Sequence, residues 1–124
     1  MRRFHHIGLP APVQNSPMPG ESFVSATRTW VTNPASHPQR IEWLRYEPDT
    51  TVSRDFQLAP HICYEVDIFP DFAESVEIVA GPFEVGDPPF GQAVFIQEDG
   101  IAVEYLQIYS GRRWFDDELA TIVS

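Results

Sequence analysis

The chain has 124 residues, a formal net charge of −10 and one cysteine, Cys63. The length suits one compact domain or two fused small modules, and the charge disfavours a phosphate backbone or an anionic lipid surface as partner. A single cysteine excludes an intrachain disulfide and a multi-cysteine zinc site, and no apolar run approaches the roughly 18 residues that span a bilayer. Met1-Arg2-Arg3 is followed by His, Gly and Pro rather than by an apolar segment, so no signal peptide is read and a cytoplasmic location is expected by default.

In chain order, residues 4–9 read as a strand. Phe4, His6 and Gly8 fall on one face, and His5, Ile7 and Leu9 on the other. Residues 10–22 hold Pro10, Pro12, Pro17 and Pro19 and predict an irregular connection. Residues 23–32, with Val24, Thr27, Thr29, Trp30, Val31 and Thr32, predict a strand. A turn at 33–38 leads to a strand over 40–47, and 48–59 reads as a linker.

Residues 61–67 predict the next strand. Pro70-Asp71 then opens the one helix of the reading, with Phe72, Val76 and Val79 at helical spacing and Gly81-Pro82 as its stop. A short strand is expected near 83–85. Strands at 92–97 and 101–109 flank Asp99-Gly100, a strong two-residue hairpin signal. Beyond Gly111 the tail is charged, with a helical turn expected at 114–120.

The chain reads as if written twice. His6-Ile7 opens the first half and Ile41-Glu42-Trp43-Leu44 closes it; His61-Ile62 opens the second and Val103-Glu104-Tyr105-Leu106 closes it. The two His lie 55 positions apart (61 − 6) and the two Glu 62 (104 − 42), so the halves are similar in size. The expected fold is therefore α+β, a single domain over 1–124. Module one covers 1–52 with its helix shortened or lost to prolines, module two covers 60–110, and a tail covers 111–124.

A His-Ile strand, a βαβββ module and a closing strand with an embedded Glu, repeated once, resemble the vicinal oxygen chelate superfamily. That superfamily includes glyoxalase I, methylmalonyl-CoA epimerase, extradiol dioxygenases and antibiotic-binding resistance proteins. The resemblance is clearest over residues 60–109, in "PHICYEVD", "GQAVFIQEDG" and "IAVEYLQ". It implies two tandem modules curling a mixed sheet into a cup. It also implies metal ligands from first and last strands: His6 and Glu42 from module one, His61 and Glu104 from module two. Such a His/Glu/His/Glu set looks most like glyoxalase I, with the epimerases next.

Two imidazoles and two carboxylates suit one divalent ion of Zn, Ni, Co, Mn or Fe(II), and leave the first shell charge-neutral. Such an ion can act as a Lewis acid beside a carbonyl, and a detaching Glu can take the adjacent proton. The resemblance makes Glu104 the expected base and Glu42 its counterpart. Glu104 is also unusual on its own strand, because Ala102, Leu106 and Ile108 share its face and an acid there needs a partner. His5 competes with His6 as ligand, and His6 is favoured because it stands before Ile7 as His61 stands before Ile62.

Other residues read as background. Cys63 is expected to be a buried thiol, His37 a solvated loop residue, and Arg28, Arg45, Arg112 and Arg113 surface arginines. Trp30, Trp43 and Tyr46 line either a pocket or the core. Glu65, Asp67, Glu98 and Asp99 belong to an acidic solvated face. The leading functional expectation is a metal-dependent isomerase, lyase or epimerase acting on a small oxygenated substrate. The alternatives are a non-catalytic antibiotic- or toxin-binding protein of the same fold, or an extradiol dioxygenase-like Fe(II) enzyme. A homodimer is expected, because such sheets keep open edges.

Overall fold

A computed structural model describes residues 1–114. Among them, eight strands form one mixed sheet: β1 (Arg3–Pro10), β2 (Ser22–Val24), β3 (Thr29–Val31), β4 (Ile41–Tyr46), β5 (His61–Glu65), β6 (Ile78–Gly86), β7 (Pro89–Glu98) and β8 (Ile101–Ile108). The spatial order is β2-β3-β4-β1-β5-β8-β7-β6. β1 runs parallel to β4 and antiparallel to β5, and β5 runs parallel to β8. The edge strands β2 and β6 approach one another, so the sheet curls into a nearly closed cup.

Alternation along the strands sorts side chains to the two faces. Phe95 and Ala93 of β7, Ala102 and Leu106 of β8, and Leu44 and Tyr46 of β4 pack inside the cup. Val94, Ile96, Val103 and Tyr105 point outward, where Phe69, Phe72 and Val76 cover them. β7 and β8 are thus buried on both faces, although they form an antiparallel hairpin. At its tip Asp99 and Gly100 both have positive φ (54° and 80°), the backbone expected of an Asp-Gly turn.

The helix expected from Asp71 does not form. Residues 66–77 cross the outer face as irregular chain, closed by one turn in which Val76 N donates to Ala73 O at 2.9 Å. Phe72 and Val76 still reach the outer core, but Val79 is taken into β6 and packs on the inner one. Pairing with β7 therefore overrides the helical spacing, and Gly81-Pro82 lies inside β6, where its register slips between Ala80 and Phe83. The α-helix present, α1 (Arg54–Leu58), lies in the segment read as linker. Ser53 caps it by accepting from Phe56 N, Asp55 sits in its first turn, and Phe56 is its buried anchor.

The strand expected over 23–32 is instead a hairpin. Residues 25–28 turn, Arg28 takes φ 54°, and β2 folds back on β3. The helical turn expected at 114–120 falls largely outside the described residues. No helix among the described residues is long and apolar enough to cross a membrane.

Two truncations on β8 test the assignment of faces. Leu106 is fully buried inside the cup and Ile101 is 54% exposed. Leu106→Ala is expected to lower the urea unfolding free energy by about 2–5 kcal/mol, and Ile101→Ala by less than about 1 kcal/mol.

Candidate metal centre

The four central strands of the sheet each contribute one polar side chain to the inside of the cup. The strand register arranges them in two rows. In one row Glu42 of β4 aligns with Gly8 of β1, which aligns with His61 of β5. In the other, His6 of β1 aligns with Cys63 of β5, which aligns with Glu104 of β8. Each row reads carboxylate, small residue, imidazole across three strands, and the rows run in opposite directions. The small middle residue leaves room for the flanking side chains to lean together.

They do converge. His6 Nε2 lies 3.3 Å from Glu42 Oε1 and 3.3 Å from Glu104 Oε1. His61 Nε2 lies 3.1 Å from Glu104 Oε1, 3.9 Å from Glu42 Oε1 and 3.4 Å from His6 Nε2. All four residues are buried, and one ligand atom from each falls within 4.8 Å of every other. Ligands at the usual 2.0–2.2 Å from a divalent ion stand about 3.0–3.6 Å apart along polyhedron edges, so most of these spacings are those of a coordination shell. The cluster could hold a metal ion.

Charge supports the fit. Burial would raise the Glu104 carboxyl, but hydrogen bonds from His6 and His61 hold it well below the usual carboxylate range. Burial alone would lower His6; the charge of Glu42, with contributions from Cys63 and Glu104, holds it well above an ordinary histidine. Two carboxylates at the floor of an apolar cup call for positive charge beyond one imidazolium. Glu42 Oε2 and His61 Nδ1 are buried and have no hydrogen-bond partner among the described residues.

Of the two neighbouring histidines, His6 faces the cluster. His5 is buried as well, against strict alternation, because β1 bulges between Phe4 and His6. His5 Nδ1 lies 2.7 Å from His6 Nδ1. Burial, then the charges of His6 and Arg40, lower His5 to about 3, so its ring is neutral and shares a hydrogen bond with His6 Nδ1. His5 thus orients the ring that turns Nε2 toward the carboxylates, while Arg40 Nε donates to the His5 carbonyl at 2.6 Å. His5, His6 and Cys63 also lie within ligand distance of one another. Burial pushes the Cys63 thiol up.

The rest of the cup is largely apolar. Phe56 stacks on His61 with centroids 6.0 Å apart, and Phe95 meets the same ring edge-on at 5.1 Å. Trp114 lies 5.1 Å from His5 and 5.5 Å from His6. A cavity of about 50 Å³ opens above Glu42 and Glu104, walled by Tyr46, Phe56, Phe83 and Trp114 among others. Tyr46, one of three aromatics read as pocket or core, lines it, and burial with the charges of Glu42 and Glu104 keeps its hydroxyl protonated. Trp30 and Trp43 are half-buried away from this cavity. Arg45 is no surface arginine: it is buried in a bidentate pair with Glu21 at 2.7–3.2 Å. Gly8 is the residue the sequence reading passed over, since a Cβ there would overlap the His61 ring. A glycine inside a strand pattern signals such a close approach.

Two substitutions test how the ligands are held. Gly8→Ala should displace His61 and weaken zinc affinity by about 10–100-fold in calorimetric titration. His5→Ala should weaken it by a similar factor, and His5→Asn, which restores an acceptor, should recover most of the loss. No protein-family model matches the chain, and neither a curated protein nor a solved structure matches it.

Proposed function

We propose that the chain is a glyoxalase-like metalloprotein of the vicinal oxygen chelate type, built from two tandem modules that share one metal centre. The observation that carries the reading is the convergence of His6, Glu42, His61 and Glu104 from four adjacent strands onto one buried point. The strand order supports the duplication. Outward from the β1–β5 pair it runs β4-β3-β2 on one side and β8-β7-β6 on the other, with each inner pair parallel. Irregular crossovers stand where the family resemblance implies helices.

The four side chains are the residues that would hold a divalent ion. Such an ion supplies Lewis acidity to a carbonyl oxygen of the substrate. The chain's own residues account for the remaining work. Glu104 is the proposed base that takes the proton next to that carbonyl and returns it, and Glu42 is its counterpart on the facing strand. Tyr46 can donate a hydrogen bond into the cavity, and Phe56, Phe83 and Phe95 exclude water from it. The reaction class is isomerisation, epimerisation or lyase chemistry by proton transfer. Self-association belongs to the same reading, supported by the 50% exposed Ile78 on the edge strand β6.

A second reading, a binding protein for small apolar molecules, is favoured by the aromatic walls of the cavity.

Elemental analysis of protein purified without chelators tests the first reading. About one transition metal per chain is expected in the wild type, and none in Glu104→Ala. Glu104→Gln should keep metal while proton exchange on a 2-hydroxyketone falls by about 10²–10⁴-fold. Metal-free wild type that stays metal-free after incubation with Zn, Ni, Co, Mn and Fe(II) would shift the weight to the binding-protein reading.

A further inference from the structure

The chain has no lysine; all eight of its basic residues are arginines, at positions 2, 3, 28, 40, 45, 54, 112 and 113. Each of these positions lies outside the cavity above Glu42 and Glu104. Arg2, Arg3, Arg28 and Arg45 pair with the carboxylates of Glu98, Asp67, Asp49 and Glu21. Arg40 and Arg112 donate to the carbonyls of His5 and Pro89. Arg54 lines a separate polar cleft, and Arg113 is not in the cavity wall. Residues 115–124 contain no Arg, Lys or His, so that segment brings no cation either.

The cavity floor is carboxylate and the wall is mostly hydrocarbon. A divalent ion on the four ligands would cancel the charge of Glu42 and Glu104 and leave none over. Apart from that ion, a carboxylate or phosphate on a substrate would enter a site of low dielectric whose wall has no cation to receive it. The cavity is small, about 50 Å³, and partly open to solvent.

We infer that the wall of this site favours uncharged molecules with neighbouring carbonyl and hydroxyl oxygens over their anionic analogues of the same shape. The oxygen pair rests on the metal-centre reading above; the charge selection rests on the cavity wall.

Hydroxyacetone and glycolate are near-isosteric, a methyl in one standing for a carboxylate oxygen in the other, and so test charge alone. Each is titrated into zinc-loaded and into zinc-free protein, with the NMR shift of the Trp114 indole N–H as readout, since Trp114 lines the cavity. Hydroxyacetone is expected to move this resonance at about tenfold lower concentration than glycolate in the zinc-free form, where the wall alone decides. Val52→Arg places a cation on a half-buried wall position and should reverse the order. Glycolate binding as well as hydroxyacetone in the zinc-free wild type, or neither compound binding it, overturns the inference. Failure to load zinc overturns the metal-centre reading instead, and the zinc-free titration still decides the selection.

Discussion

Two carboxylates buried at the bottom of an apolar cup are the constraint on which this structure depends. Glu42 and Glu104 are 3% and 4% exposed, and neither is stable there without positive charge or donors close by. His6 and His61 answer that need within the chain, and the strand register delivers them. Each carboxylate and each imidazole occupies the end of a three-strand row whose middle is Gly8 or Cys63. Enlarging either middle residue would push the rows apart. Curvature, register and residue size are thus one requirement seen at three scales.

The site lies at the seam between the two halves of the chain, where β1 and β5 pair antiparallel. Each half offers one His and one Glu to it, so neither half completes the cluster alone. The surroundings differ between the halves. Phe56 and Phe95 hold the His61 ring, whereas His5 and Trp114 hold His6.

The four candidate ligands were legible because they stand in repeated phrases and because an acid among Ala102, Leu106 and Ile108 is out of character. The strands β1 and β4 were legible from alternation, β5, β7 and β8 from apolar runs bounded by turns, and the Asp99-Gly100 turn from its chemistry. What stayed hidden depended on the partner strand. Helical spacing of Phe72, Val76 and Val79 is real, but Val79 gains more by pairing beside β7. Ser53 and Asp55 carry a cap signal for α1, yet a five-residue helix has no periodicity to find. The bulge in β1 that buries both His5 and His6 leaves no mark in the residues themselves. Arg45 was read as surface because its partner Glu21 is 24 positions away, inside a proline-rich stretch.

The interleaving of the centre bears on how the molecule assembles. β1 comes first in the chain but lies between β4 and β5, and its partner row is completed only by β8. Contacts of this kind join distant parts of the chain, so loop closure precedes their reward and folding of such a sheet is expected to be slow. A partly folded intermediate lacking β8 presents three ligands at most, so an ion would grip the finished sheet far more tightly than any precursor. Any ion held by the four side chains would then add to the equilibrium stability of the finished sheet by mass action.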